Sequence, residues 1–218
     1  MWAAITQAIA PGWHTYWRNP GDSGLATSIS WTLPSGVSAG EPRWPVPEQF
    51  NTGSIVNFGY KDRAIILVPL TVARRPAINA KRARATIFLL ECGQMCIPET
   101  VTLDLDLGKP SGSPAIFAGA RAALPQPFDG DVRIARGPNT LTIVMTKASL
   151  LGADPSAVHF YPATPGVVDY HASPRIRSSG DTLVWQANLA ARSRPFREFE
   201  GVLDVPHLGR FRISGTAR

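Results

Sequence analysis

Proline recurs 20 times in 218 residues and is spread along the chain rather than gathered in a tail. Each ring removes a backbone N–H and blocks the turn before it, which rules out long helices over most of the sequence. What remains between the prolines and the 19 glycines is a series of short apolar runs: 28-SISWTL-33, 64-AIILVPLTVA-73, 85-ATIFLL-90, 101-VTLDLDL-107, 140-TLTIVM-145, 182-TLVWQANL-189, 201-GVLDV-205 and 210-RFRIS-214. Several alternate apolar and polar residues, as half-buried strands do. In 101-VTLDLDL-107, Val101, Leu103, Leu105 and Leu107 fall on one face and Thr102, Asp104 and Asp106 on the other. Only 115-AIFAGARAAL-124 and 147-KASLLGADPSAV-158 leave room for a turn or two of helix. The expected fold class is all-β, built from sandwiches.

The length suits one large domain or two small ones, and with 44% hydrophobic residues either half can bury a core without crosslinks. The stretch 108-GKPSGSPAIFAGARAALPQPFDGD-131 is rich in Gly, Pro and small residues and marks the expected boundary. Five of the six tryptophans (Trp2, Trp13, Trp17, Trp31, Trp44) and both cysteines precede it. The expected domains are therefore residues 1–118 and 119–218, two β-sandwiches in tandem with different tasks.

A net charge of +6 comes mostly from arginine, densest in 74-RRPAINAKRARA-85. Aromatics do not interleave with these charges, so the run reads as a solvated loop leading into a strand rather than a nucleic-acid surface. No apolar run approaches the roughly 20 residues that span a bilayer, and MWAAITQAIAPGWH lacks the basic start and long apolar stretch of a signal peptide. The chain as given is expected to be soluble, either a mature exported fragment or a soluble domain of a membrane protein.

The two cysteines, Cys92 and Cys96, lie in 88-FLLECGQMCIPET-100 with Gly93, Gln94 and Met95 between them. With 85-ATIFLL-90 running in and Ile97 leading away, the spacing predicts a hairpin, Gly93 supplying any positive φ. Facing residues there have Cα atoms roughly 4.5–5.5 Å apart, within reach of a disulfide. As a staple the pair is poorly placed, because a loop of about five residues constrains the unfolded chain by only roughly 2 kcal/mol. Three readings stay open on the residues alone. One is an inert local disulfide or two core thiols. Another is a redox dithiol, since attack and resolution by neighbouring thiols need such adjacency. The third is a Cu(I) site, since Cys92, Cys96 and Met95 are soft ligands that His14, His159, His171 or His207 would complete. Zinc fits less well, with no second cysteine pair and no clustered histidines.

Other chemistries lack their motifs: G-x-S-x-G, the phosphate-binding G-x-x-x-x-G-K-[ST] and H-E-x-x-H are all missing from the sequence. In 19-NPGDSGLAT-27, Asp22 and Ser23 read as a tight loop with Asp22 bonding local amides.

Four stretches together resemble a known family: 11-PGWHTYWRNPGDSGLAT-27, 31-WTLPSGVSAGEPRWPVP-47, 59-GYKDRAIILVPLTV-72 and 92-CGQMCIPET-100. They are similar to the N-terminal periplasmic region of the DsbD family of membrane thiol:disulfide reductases, in particular its ScsB branch, which is associated with suppression of copper sensitivity. The cysteine hairpin followed by I-P-E-T is the most specific of these motifs. In the second half, 158-VHFYPATPGVVDYHASPRI-176 and 197-REFEGVLDV-205 resemble the second β-domain of ScsB-like proteins.

The resemblance implies two immunoglobulin-like domains and a periplasmic electron-transfer module, a soluble part of an inner-membrane protein that needs no cofactor or metal. It implies that Cys96 forms the mixed disulfide with partners and that Cys92 resolves it. The implied partners are thioredoxin-fold proteins of the ScsC or DsbC kind, peroxiredoxins, and the thioredoxin-like and transmembrane domains of the parent protein. In the DsbD branch an aromatic cap covers the disulfide; the equivalent position here falls near Gly53, leaving Phe50 and Phe58 as the expected substitutes. No helix N-terminus is expected beside the hairpin, so its thiols should be of modest intrinsic reactivity.

Overall fold

The structure is a computed structural model that describes residues 1–73, 82–109, 111–193 and 195–218. Most of the basic run at 74–85 lies outside the described residues; Arg82 and Arg84, which are described, are exposed at the start of a strand. The fold is all-β, and the chain divides into two compact units. The first comprises residues 1–18, 24–48 and 59–124, and the second residues 19–23, 49–58 and 125–218.

In the first unit, β1 (Trp2–Ala8), β7 (Arg63–Val72) and β4 (Val37–Ala39) form one sheet in the order β1-β7-β4. A second sheet runs β3-β8-β9, with β3 (Ser28–Thr32), β8 (Arg82–Cys92) and β9 (Cys96–Asp106). Ala3 and Ile5 of β1 and Ile66, Val68 and Leu70 of β7 pack against Ala85, Ile87 and Leu89 of β8. Ile66 and Val68 are fully buried, and each such side chain stabilises the sandwich by roughly 1.5–3 kcal/mol. Pro69 is tolerated in the middle strand because β4 ends opposite Leu70, so its missing N–H falls just beyond that ladder, while the Pro69 carbonyl still accepts from Gly40 N at 2.8 Å.

The short helix α1 (Pro114–Ala122) starts as the sequence dictates: Ser113 Oγ accepts from Ala115 N at 3.2 Å, and Pro114 occupies the first turn where its missing N–H costs nothing. The run 147–158 yields only a single 3-10 turn, Ala148–Leu150.

The second unit packs two four-stranded sheets. One runs β10-β17-β16-β13, with β10 (Gln126–Pro127), β13 (His159–Pro162), β16 (Glu198–Val205) and β17 (Gly209–Thr216). The other runs β11-β12-β15-β14, with β11 (Asp131–Arg136), β12 (Thr140–Thr146), β14 (Arg175–Ser179) and β15 (Thr182–Asn188). Leu141, Ile143 and Met145 of β12 face Leu183 and Trp185 of β15, and Phe199, Leu203 and Ile213 close the core from the opposite sheet.

A fifth sheet runs β2-β6-β5, from β2 (Thr15–Gly21), β6 (Ile55–Tyr60) and β5 (Glu48–Thr52). Asp22 does not bond its own loop: its Oδ2 accepts from Val56 N on β6 at 2.8 Å. Asn57, buried on β6, donates to the Pro20 and Ser23 carbonyls at 2.9 and 2.7 Å, so the N-P-G-D-S turn is held by β6.

Candidate active site

β8 and β9 form a hairpin in unbroken register from Arg82↔Asp106 to Cys92↔Cys96, closed by residues 93–95. Cys92 and Cys96 are joined by a disulfide with Cα atoms 4.1 Å apart. The backbone explains why this pair can close. Cys92 directs its N–H and C=O away from β9, donating to the His14 carbonyl at 2.9 Å and accepting from His14 N at 2.8 Å. Towards β9, Cys92 and Cys96 are therefore a non-hydrogen-bonded pair, the closer of the two antiparallel pairings. The hairpin is instead tied by Gly93 N–H donating to the Met95 carbonyl at 2.9 Å.

The same alternation places the sulfurs. Ala83, Ala85, Ile87 and Leu89 point into the core, so Cys92 shares the outer face with Arg84, Phe88 and Leu90. The Arg84–Asp104 ion pair, opposite in register, marks that face. Cys92 is nonetheless only 3% exposed, whereas Cys96 on the edge strand is exposed. Met95, 67% exposed, and Ile97, 46% exposed, flank Cys96 as apolar groups open to solvent.

The turn before β2 lies against the hairpin at Gly93, the neighbour of Cys92. Residues 10-APGW-13 form a type II turn, with Gly12 at φ 82° and Trp13 N donating to the Ala10 carbonyl at 3.0 Å, as Pro-Gly at its centre dictates. The turn brings Trp13 over the hairpin. A Cβ on Gly93 would stand 3.2 Å from the Gly12 carbonyl oxygen and 3.3 Å from Trp13 Cδ2. Gly93 is not among the residues of positive φ, so close approach, rather than backbone conformation, is what requires glycine there.

Behind the turn, a buried chain of hydrogen bonds fixes the start of β2: Thr15 Oγ1 donates to Gln7 Oε1 and Gln7 Nε2 to Thr27 Oγ1, both at 2.8 Å. Tyr16 is buried with its ring 5.2 Å from that of His14, edge to face, and Gly24 has no Cβ because the Tyr16 ring occupies the space. Burial lowers the proton affinity of His14, which favours the neutral imidazole, and raises the Tyr16 phenol.

His14 is the one histidine of the first unit. In the second, His159 stacks on Tyr161, His171 Nε2 lies 3.5 Å from Asp22 Oδ2, and His207 occupies the β16–β17 turn at φ 66°. Among the described residues no group of three His, Cys, Asp or Glu side chains gathers as a metal site. Phe58 is buried in the second unit with its ring edge to face with Tyr161 and Tyr170, at 5.9 and 5.2 Å, and Phe50 is half-buried on β5. Within the first unit the Trp13 ring stands against the hairpin, its Cδ2 3.3 Å from where a Cβ on Gly93 would be. Its sequence signal was the Pro-Gly pair, which predicts the turn but not what the turn leans on.

An exposed cysteine bonded to a buried one suits thiol–disulfide exchange, in which a thiolate attacks one sulfur of a disulfide and the other leaves. Residues 1–107 match the family described as "Thiol:disulfide interchange protein DsbD, N-terminal". No curated protein matches the chain. Among solved structures, the crystal structure of the N-terminal periplasmic domain of ScsB from Proteus mirabilis superposes with a TM-score of 0.78 at 21% identity, covering 99% of this chain and 87% of that one. Among the described residues no helix is long and apolar enough to cross a membrane. Residues 1–107 thus match the DsbD N-terminal family, which with the Cys92–Cys96 disulfide supports a thiol:disulfide exchange module, and the whole chain shares the fold of the ScsB N-terminal periplasmic domain.

Proposed function

We propose that this chain is the periplasmic electron-transfer module of a ScsB/DsbD-like membrane reductase, with Cys92 and Cys96 as its catalytic residues. The observation that carries the reading is the asymmetry of the pair: Cys96 exposed on an edge strand, Cys92 buried beside it. In the reduced state the Cys96 thiolate attacks a partner disulfide, forming a mixed disulfide and releasing one partner sulfur as a thiolate. Cys92 then attacks Cys96 Sγ, the Cys92–Cys96 bond re-forms, and the second partner sulfur leaves. The partner gains two electrons and the pair loses two. A thioredoxin-like domain of the same parent protein, supplied through a transmembrane domain, returns the pair to the dithiol.

The family supports thioredoxin-fold partners, and the ScsB-like fold favours ScsC-like or DsbC-like proteins and peroxiredoxins. The second unit serves as spacer or docking surface. Trapping tests the reading. Cys92→Ser, expressed in the oxidising compartment, should accumulate a reducible covalent adduct through Cys96 that Cys96→Ser does not form. Identical behaviour of the two variants overturns the assignment. Stoichiometric Cu(I) retention by the reduced protein, lost in Cys96→Ser, would favour a copper site formed by Cys92, Cys96 and Met95 instead.

A further inference from the structure

His14 and Cys92 exchange both backbone hydrogen bonds, at 2.8 and 2.9 Å. Directly opposed residues of this kind send their side chains from the same face of the sheet, with Cβ atoms roughly 4.5–5.5 Å apart. Cys92 is also paired with Cys96 on its other side. The order across three adjacent segments is therefore imidazole, buried sulfur, exposed sulfur.

We propose that His14 is the proton acceptor for Cys92 when the mixed disulfide is resolved, and the proton donor to Cys92 when the disulfide is opened; this rests on the exchange reading above. The need for such a group follows from burial. At 3% exposure Cys92 has almost no water to take its proton or to solvate its thiolate. In resolution the Cys92 S–H proton passes to a ring nitrogen of His14 and the Cys92 thiolate attacks Cys96 Sγ. The bond from Cys96 to the partner sulfur breaks, that sulfur leaves with the electron pair, and the imidazolium proton goes to it or to water. In the reverse step an incoming thiol gives its proton to the neutral imidazole and attacks Cys96 as the thiolate, the electron pair leaves on Cys92, and the imidazolium so formed passes that proton to Cys92.

The surroundings suit the role. Burial lowers the proton affinity of His14, which favours the neutral imidazole, the form that can take up a proton. Titratable groups on its face include the Tyr16 phenol two residues on, 5.2 Å away ring to ring, and Cys92 on β8, with Arg18 two residues beyond Tyr16. Glu91 lies on the opposite face of β8, and the titratable side chain of β6 is Tyr60, whose hydroxyl donates to the Pro45 carbonyl at 2.9 Å.

The test separates the two sulfur events in the reduced protein. With dithiobis-nitrobenzoate, attack by Cys96 releases one coloured thiolate in a phase that depends on reagent concentration. Attack by Cys92 on the resulting adduct then releases a second in a concentration-independent phase. In His14→Gln the first phase should be unchanged. The second should slow on the order of 10²-fold, the ordinary contribution of a positioned base, and lose its acid-side inflection. An unchanged second phase overturns the proposal; so does a slowing by one factor at every pH with the inflection kept, which would mark a structural role. Should His14→Gln not fold, the wild-type profile decides: an inflection below the ordinary histidine value supports the proposal and its absence overturns it. Failure of the exchange reading looks different, because the wild-type protein itself would then lack the concentration-independent phase.

Discussion

Reduction of Cys92–Cys96 separates a switch from a staple by its effect on stability. A separation of four positions encloses about five residues, and the loss of loop-closure entropy, about 7 cal/mol/K, comes to about 2 kcal/mol at 25 °C. A bond closing about 100 residues would be worth nearly 5 kcal/mol on the same basis. The folded side should change little, because Gly93 N–H to the Met95 carbonyl, the β8–β9 register and the His14 pairing all hold the hairpin without the sulfurs. Guanidinium unfolding with and without excess dithiol, followed by tryptophan fluorescence, measures the difference. Five of the six tryptophans lie in the first unit, so the signal reports mainly on the unit that carries the bond. The expected result is a loss of about 2 kcal/mol with a nearly unchanged slope. A loss of 4 kcal/mol or more, or the disappearance of a cooperative transition, would refute the reasoning and make the disulfide a structural clamp.

Alkylation of the reduced protein should be markedly faster at Cys96 than at Cys92, as read by mass spectrometry of the single-cysteine variants; equal rates would contradict the burial of Cys92. Tyr60→Phe leaves the buried Pro45 carbonyl without its donor and should cost about 1–3 kcal/mol in denaturant unfolding. Burial holds the Tyr60 phenol well above its ordinary value, against a smaller opposing effect of Arg18, so the unfolded chain ionises first. Wild-type stability should accordingly fall as pH rises past about 10, and Tyr60→Phe should flatten that fall. Phe199→Ala removes a fully buried ring from the second core and should cost about 3–5 kcal/mol, seen in the Trp185 environment of that unit.

The strands legible in the sequence were those with one wet face. In 101-VTLDLDL-107 the alternation is real, and Val101, Leu105 and Leu107 pack against the core, yet Leu103 is 45% exposed because β9 is an edge and its neighbours cover it only in part. β6 carries no alternation to read, since Val56 to Tyr60 are buried in succession and include a satisfied Asn57. β2 was hidden by its own ending: Asn19, Pro20 and Gly21 read as a turn, while Asn19 is buried and donates to the Pro162 carbonyl at 2.6 Å and Tyr170 Oη at 2.8 Å. The hairpin at Cys92 and Cys96 was legible from spacing, because a short loop between facing residues leaves little choice of geometry. The turn against it was not, since Trp13 and His14 reach the hairpin from some 80 residues away and nothing local announces a backbone pairing of that range.

Pro98 sits two residues beyond Cys96 on β9, which among the described residues pairs with β8 alone. By the alternation of the ladder, Cys96, Pro98 and Thr100 turn their backbone groups outward, while Ile97 and Glu99 face β8. A foreign strand laid along this edge would find an N–H at Cys96, none at Pro98, and would have to bridge that gap to continue. Pairing can therefore start beside Cys96 but not propagate down the sheet. An edge interrupted in this way is kept from seeding a fibril, and a strand that docked at Cys96 would pair only locally.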